Sequence, residues 1–421
     1  MEDKLLAEVF SSDRWTGAID VGVGKEINKT ELRKMCDPEM RAALYLAIRS
    51  DNYAIAPPHA QLIPKDNGDF RTVYINENVD RLFLSIVNDT LMEMCSSMIH
   101  PSCKSYQKGI GCGKVVQKCS EMVASAHGLT IGFKSDLSKY FDSVPIQFID
   151  QTFDRVERIT GKSKIIDVLR NYYHQNTCFD VDGKVTIKYM SLMQGCAVAA
   201  FLADALLYDM DAELSLVKGS FYVRYSDDVL FIGEDYKAVL ERMKTILGKF
   251  GLKLNPKKVE LIDSSHWFKF LGFSIRGSEI SISKGRLKKF QSEIESRTVK
   301  NRNTNFKQAL DSVNRFLYIG DGTYSWATSV LPIINNKSDI DTLNEFIMDC
   351  LRATQTHKTK VGGLGYVKGN KNGCVVRGRG RNVTANRNNT EVHINGYYSI
   401  TCMRNAILIS RPVYECLVSQ M

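Results

Sequence analysis

A chain of 421 residues with 44% hydrophobic and 24% charged side chains has the balance of an ordinary globular protein, which excludes a wholly disordered chain and leaves room for two or three domains. Its net charge of +9 suits a polyanionic partner such as nucleic acid but says nothing of fold. No window is apolar for long enough to cross a bilayer, and Met1-Glu2-Asp3-Lys4 opens no secretory signal. The 11 cysteines contain no C-x-x-C pair, and His100-x-x-Cys103 has no second pair to complete a zinc site. Free thiols in a reducing, cytoplasmic compartment and no membrane partner are the expectation.

Residues 1 to 50 read as helices, with Ala42 to Ile48 a strongly apolar, helix-favouring run. From Tyr53 the pattern becomes extended. Gln61-Leu62-Ile63-Pro64 and Phe70-Arg71-Thr72-Val73-Tyr74-Ile75 flank Asp66-Asn67-Gly68, which signals a hairpin. Lys65 and Arg71 then project from one flap, where paired cations suit the triphosphate of a nucleotide, although a solvated basic face has the same composition. Asp80 to Ile99 carries the spacing of an amphipathic helix, and Ser105 to Gly111 follows as a glycine-containing loop.

Leu129 to Pro145 runs as a strand into Asp136 and then into a turn or helix start. Asp136 falls at the carboxyl end of that strand, where the competing role for an aspartate is a helix cap. Tyr189 to Leu206 places Gln194 and Gly195 before a helix of small residues, which lets backbone and a base or sugar approach closely. A helix buried by its alanine face has the same pattern. The stretch Phe221 to Ile232 sets Asp227 and Asp228 between two runs of β-branched and aromatic residues, as a strand, a tight polar turn and a returning strand. Paired aspartates in a hairpin are often turn chemistry alone. Adjacent, apolar-flanked acids otherwise repel each other and favour a divalent cation. With Asp136 they make three carboxylates from two strands, enough for two Mg²⁺ ions, because water and phosphate oxygens complete the shell. Tyr236 to Phe250 reads as a helix, Gly251 to Leu261 as a turn and strand, and Phe268 to Ile275 as another strand.

In this order, the acid strand, the Gln-Gly helix, Tyr-x-Asp-Asp, Gly-Leu-x-Leu-x-Pro-x-Lys and Phe-Leu-Gly-Phe resemble the successive palm motifs of reverse transcriptases. The flap bearing Lys65 and Arg71 resembles their fingers, and the match covers roughly residues 50 to 280. The resemblance implies an α+β right-hand polymerase. N-terminal helices and fingers would occupy 1–130, with 146–190 partly fingers, then a palm with an antiparallel sheet over 131–280, a helical thumb over 281–360 and a basic C-terminal RNA-binding extension over 361–421. It implies an RNA-directed DNA polymerase using two Mg²⁺ ions and deoxynucleoside triphosphates (dNTPs). Asp136, Asp227 and Asp228 would be the catalytic metal ligands, joined by the carbonyl of Leu137. Phe141 matches the aromatic that blocks a ribose 2′-hydroxyl, Gln194 and Gly195 line the nucleotide and template pocket, and Tyr225 approaches the primer end. Lys65 and Arg71 clasp the triphosphate. Lys258 matches the general acid for the departing pyrophosphate, with Lys257 as the competing candidate.

Met193, Ala199 and Asp204 stand where bacterial relatives usually have Pro, Ser and Asn, which weakens an assignment to the group II intron branch. No zinc-type endonuclease segment follows the thumb region, and neither thumb signature of retron enzymes is found. Length and layout look most like the bacterial defence-associated (antiphage) reverse transcriptases, which make cDNA from a partner non-coding RNA template. The alternatives are an RNA chaperone of the intron-splicing maturase type that merely retains the fold, or a retron or diversity-generating enzyme. Lys284, Arg286, Lys288 and Lys289 suit thumb contacts to phosphates. Arg377, Arg379 and Arg381, in a stretch rich in Gly and Asn, suit an RNA that orders it. Each basic set is equally the composition of a solvated face. Tyr397, Tyr398 and Tyr414 mark a return to folded structure.

Overall fold

The computed structural model describes residues 2–23, 27–65, 68–126, 131–301, 303–320, 325–356, 366–369, 375–378, 396–409 and 411–419. Its contacts divide the chain into two units, Met1–Ile110 with Thr130–Ile262, and Gly111–Leu129 with Asp263–Met421. Both mix helices with small, largely antiparallel sheets, the α+β architecture expected from the sequence.

The first unit opens on short helices whose starts are set by side-chain caps. Asp3, Asn28 and Asp37 accept hydrogen bonds from the backbone N–H groups of Leu6, Glu31 and Glu39 at the heads of Lys4–Val9, Lys29–Met35 and Pro38–Arg49. Strands β1 (His59–Pro64) and β2 (Phe70–Ile75) then form the expected antiparallel hairpin. Gly68 at φ +87° supplies the left-handed residue of its turn. The helix Asn78–Met94 buries Leu82, Phe83, Leu84, Ile86, Val87 and Leu91 in the core of the unit.

Strand β3 (Gly132–Asp136) runs through the middle of a second sheet. Strands β4 (Thr177–Phe179) and β5 (Val185–Ile187) instead extend the first, giving the order β2-β1-β4-β5. Strands β6 (Phe221–Tyr225), β7 (Asp228–Ile232) and β8 (Glu260–Ile262) complete the second in the order β6-β7-β3-β8, with every pairing antiparallel. Val229, Leu230, Phe231 and Ile232 are all buried, which is why β7 reads as a continuous apolar run and not as an alternation. Phe133 stacks on Phe231 at 5.7 Å across the β3–β7 pair. The near-fully buried helix Val198–Leu206 belongs to the same core.

Gly132 shows how closely those two strands fit. A Cβ at that position would lie 2.0 Å from the Phe231 carbonyl oxygen. Gly132→Ala is therefore expected to force the central pair apart and cost about 1–3 kcal/mol, read as a lower urea midpoint with an unchanged slope. A midpoint equal to that of the wild type would contradict this packing.

In the second unit the helix Cys112–Ser125 packs against a three-stranded sheet of β9 (Phe268–Phe270), β10 (Phe273–Arg276) and β11 (Glu279–Ile282). The stretch 268–275, expected as one strand, is thus a hairpin. Leu271 at φ +47° and Gly272 at φ +81° form its two-residue turn, the geometry that matches strand twist. Helices Lys284–Arg297, Phe306–Asn314 and Lys337–Thr356 follow, and Phe306–Asn314 continues into a π-helical turn at Arg315–Ile319.

The basic stretch near 368–382, expected as a loop, contains a pair of strands, β12 (Tyr366–Gly369) and β13 (Val375–Gly378). Aromatic and β-branched residues in the two segments account for the pairing. Beyond it the chain is fastened down, as the tyrosines suggest. The side-chain oxygen of Asn344 accepts from the Tyr397 hydroxyl (2.9 Å), the Ser399 hydroxyl (3.0 Å) and the Ile400 N–H (3.2 Å). The Tyr414 hydroxyl donates to the Ala327 carbonyl. Among the described residues no two cysteines form a disulfide, and no helix is long and apolar enough to cross a membrane.

Candidate active site

The register of the second sheet brings the three aspartates together. Asp136, the last residue of β3, lies opposite Asp228, the first residue of β7, and Tyr225 at the end of β6 lies opposite Asp228 from the other side. Asp227 occupies the turn between β6 and β7, and its carbonyl accepts the Leu137 N–H at 3.0 Å. Asp136 does not cap the short helix Tyr140–Ser143, whose cap position is Lys139 with no side-chain cap bond. The competing role as a helix cap is thereby removed.

Residues 253–255 run along the same strand end. Asn255 N–H donates to the Asp136 carbonyl, Ser138 N–H donates to the Lys253 carbonyl, and Leu137 bridges to Leu254. This seats the one-turn helix Pro256–Lys258 beside the acids, so that the Lys258 amine lies 2.6 Å from Asp136 Oδ2. Lys257, on the same turn, has its backbone N–H bonded to the Asn255 side chain.

Crowding of like charge is written into these carboxyls. Burial, then repulsion from Asp136, raises Asp227 above the usual carboxylate range, with Lys258 opposing. Asp228 is pushed up to about 6 by burial, then by Asp227 and Asp136, against Lys258 and Lys134. Among the described residues no three His, Cys, Asp or Glu side chains already enclose a common point as a metal cage. The donor set is nonetheless that of a hard divalent cation: oxygen ligands, half-buried, whose mutual repulsion such an ion would relieve.

The nucleotide-pocket candidates also converge, through backbone bonds. The Gln194 carbonyl accepts the Tyr74 N–H at 2.7 Å. Gly195 is at φ +109°, and a Cβ there would lie 2.7 Å from the Tyr74 carbonyl oxygen, so only glycine allows this approach to β2. Phe141 packs edge-on to Tyr140 at 5.7 Å, and its carbonyl accepts the Leu192 N–H at 3.1 Å. Lys65 and Arg71 are exposed on the hairpin. Lys65, with Lys139 and Lys188, acts on Asp142, the residue after Phe141, against the burial that raises its carboxyl. The flap lysine is therefore within electrostatic reach of the carboxyl that follows Phe141.

The profile of the family described as reverse transcriptase (RNA-dependent DNA polymerase) matches residues 63–275, about half of the chain and all of the elements just assembled. The chain belongs to the reverse transcriptase family. No curated protein matches it by sequence. Among solved structures it is similar to an apo telomerase from Candida tropicalis truncated from its C-terminal domain, with 17% identity, a TM-score of 0.42, and coverage of 55% of this chain and 56% of that one. It is also similar to an apo telomerase from the same organism, with 13% identity, a TM-score of 0.43, and coverage of 83% and 73%. A telomerase from Candida albicans in complex with a fragment of telomeric RNA gives 13% identity, a TM-score of 0.39, and coverage of 76% and 66%. The chain thus spans little more than half the length of the first of these.

As a reverse transcriptase family member the chain has the α+β, right-hand polymerase fold. Of the nucleic-acid candidates in the second unit, Lys284, Lys288 and Lys289 are exposed along the helix Lys284–Arg297. Arg286 is instead half-buried, with its guanidinium over the Phe273 ring at 4.4 Å and against Gly272. Arg377 lies on β13 opposite Val367, and Arg379 and Arg381 fall outside the described residues.

Sequence reasoning passed over the groups beneath the acidic turn. Arg224 is fully buried and bonded to Asp211, while Ser105 joins Asp204 to the backbone of Ser226. The one available signal was an arginine inside a strand otherwise built from apolar residues, where a buried charge implies a buried partner.

Proposed function

We propose that this chain is an RNA-directed DNA polymerase that copies a partner non-coding RNA into cDNA. The observation that carries the proposal is the in-register meeting of Asp136 with Asp228 beside Asp227, in a family-matched palm, with the Asp227 and Asp228 carboxyls raised by burial and then by neighbouring negative charge. Bound at Asp136, Asp227, Asp228 and the Leu137 carbonyl, two Mg²⁺ ions would supply activation of the primer 3′-hydroxyl and stabilisation of charge during in-line phosphoryl transfer. The residues around them bind and orient. Lys65 and Arg71 take the dNTP triphosphate, Gln194 and Gly195 hold the base and template, and Tyr225 steadies the primer end. Lys258, paired with Asp136 in the free protein, hands a proton to the departing pyrophosphate once that pairing is given up.

Phe141 stands under the sugar and excludes a 2′-hydroxyl. Phe141→Ala is expected to raise ribonucleotide incorporation relative to deoxynucleotide about 10–100-fold, read from the ratio of kcat/KM for the two. An unchanged ratio would remove Phe141 from this role.

Fingers lie in 1–130 and part of 146–190, the palm in 131–280, the thumb in 281–360 and an RNA-binding extension in 361–421. Lys284, Arg286, Lys288, Lys289, Arg377, Arg379 and Arg381 serve the nucleic acid. The biological setting is antiphage defence in the cytoplasm of a bacterium, a reading supported by the motif layout of the sequence. The test is extension of a DNA or RNA primer on an RNA template by the purified protein with dNTPs and Mg²⁺, together with sequencing of the RNA and DNA that copurify with and without phage infection. Templated incorporation and a single enriched RNA are expected. Absence of incorporation on any primed template would overturn the proposal.

A further inference from the structure

Ser226, which leads into Asp227 and Asp228, adopts φ +59°, a left-handed conformation that is unfavourable for a non-glycine residue. A residue kept there has to be held there, and both of its backbone polar groups are. Its N–H donates to the Ser105 hydroxyl oxygen at 2.9 Å, and its carbonyl accepts from Arg224 Nη1 at 3.1 Å.

Neither holding group is free to turn. The Ser105 hydroxyl donates its own proton to Asp204 Oδ1 at 2.5 Å, which leaves its oxygen facing the Ser226 N–H. The Arg224 guanidinium is fixed to Asp211 through Nε at 2.8 Å and Nη2 at 2.7 Å, and to the carbonyls of Ala203 and Asp204. The segment bearing Ser105 is itself laid along β6, with Arg224 N–H donating to the Ser102 carbonyl and Lys104 N–H donating to the Arg224 carbonyl. Ser105, Asp204 and Arg224 are all fully buried.

We infer that Ser105 and Arg224 are positioning residues that clamp the Ser226 peptide and thereby aim the Asp227 and Asp228 carboxylates. This rests on the polymerase reading of those carboxylates. Without the Ser105 oxygen the Ser226 N–H is buried and unsatisfied, so the turn relaxes toward a right-handed conformation and the carboxylates that follow it rotate. The nucleotide pocket, built from Tyr74, Phe141, Gln194 and Gly195, has no bond to Ser105 or Arg224 among those described above and keeps its shape.

The test compares wild type, Ser105→Ala and Asp227→Ala/Asp228→Ala by Mn²⁺ binding in solution, followed as loss of the free-ion EPR signal, and by steady-state primer extension. Ser105→Ala is expected to weaken Mn²⁺ binding about tenfold and to lower kcat about tenfold, with the KM for dNTP unchanged. Ser105→Cys, nearly the same size but a weak acceptor, is expected to fall between the two and serves if the alanine variant does not fold. Folded Ser105→Ala or Ser105→Cys proteins with wild-type Mn²⁺ affinity and kcat would overturn the inference, and a lower melting temperature as the only change would do the same. A different outcome marks failure of the polymerase reading itself: wild type would then neither extend a primer nor lose Mn²⁺ binding on removal of Asp227 and Asp228.

Discussion

Asp227→Ala/Asp228→Ala, and separately Asp136→Asn, are expected to lower primer extension about a thousandfold or more while leaving the protein folded. Asp136 and Asp228 are cross-strand partners, so on the proposed reading either change would remove a carboxylate that the ions need. The fold should not suffer. In the ion-free protein the turn holds carboxyls that burial and mutual repulsion penalise, and deleting them relieves that penalty. Melting temperatures measured in EDTA are accordingly expected to equal or exceed that of wild type. Primer extension by the double variant at the wild-type rate would reject catalysis at this site, whereas no extension by either protein would favour a maturase-like chaperone that keeps the fold without its chemistry.

The largest stability effect is expected at Arg224. Arg224→Ala leaves Asp211 buried with its charge unmatched, and breaking a buried pair from one side costs about 3–5 kcal/mol. The loss depends on pH in a defined direction. Burial already pushes Asp204 up to about 6, with Arg224 opposing, so removal of the guanidinium raises it further. A carboxyl whose folded pKa lies above its unfolded one destabilises the protein at high pH, and that cost fades as pH falls through the folded value. Urea unfolding is therefore expected to show a smaller gap between Arg224→Ala and wild type at about pH 5 than at about pH 8. A gap that stays constant or widens on acidification would mean that Asp204 does not feel Arg224 as the geometry requires.

What the sequence made legible was whatever is local or ordered along the chain. Asp227 and Asp228 are neighbours in a turn between two apolar runs, and Gln194-Gly195 precedes a helix of small residues, so each could be read in place. The β1–β2 hairpin was announced by Asp66-Asn67-Gly68. The register that sets Asp136 against Asp228 could not be read from residues 92 positions apart without the family order of motifs. The bond from Lys258 to Asp136 was hidden too, because it depends on residues 253–255 lying along the end of β3. Leu271 disguised the β9–β10 hairpin, since leucine seldom takes a positive φ and the run around it is otherwise apolar. Arg224 and Asp211 share no period that would pair them in advance, and only packing shows that both are fully buried.

The most direct measurement is anomalous diffraction from crystals grown or soaked with Mn²⁺ and a dNTP. Ion density is expected between Asp136 and the Asp227–Asp228 turn, within ligand reach of all three carboxylates, with the Lys258 amine moved off Asp136. Ions bound elsewhere, with Lys258 still paired to Asp136, would contradict the account.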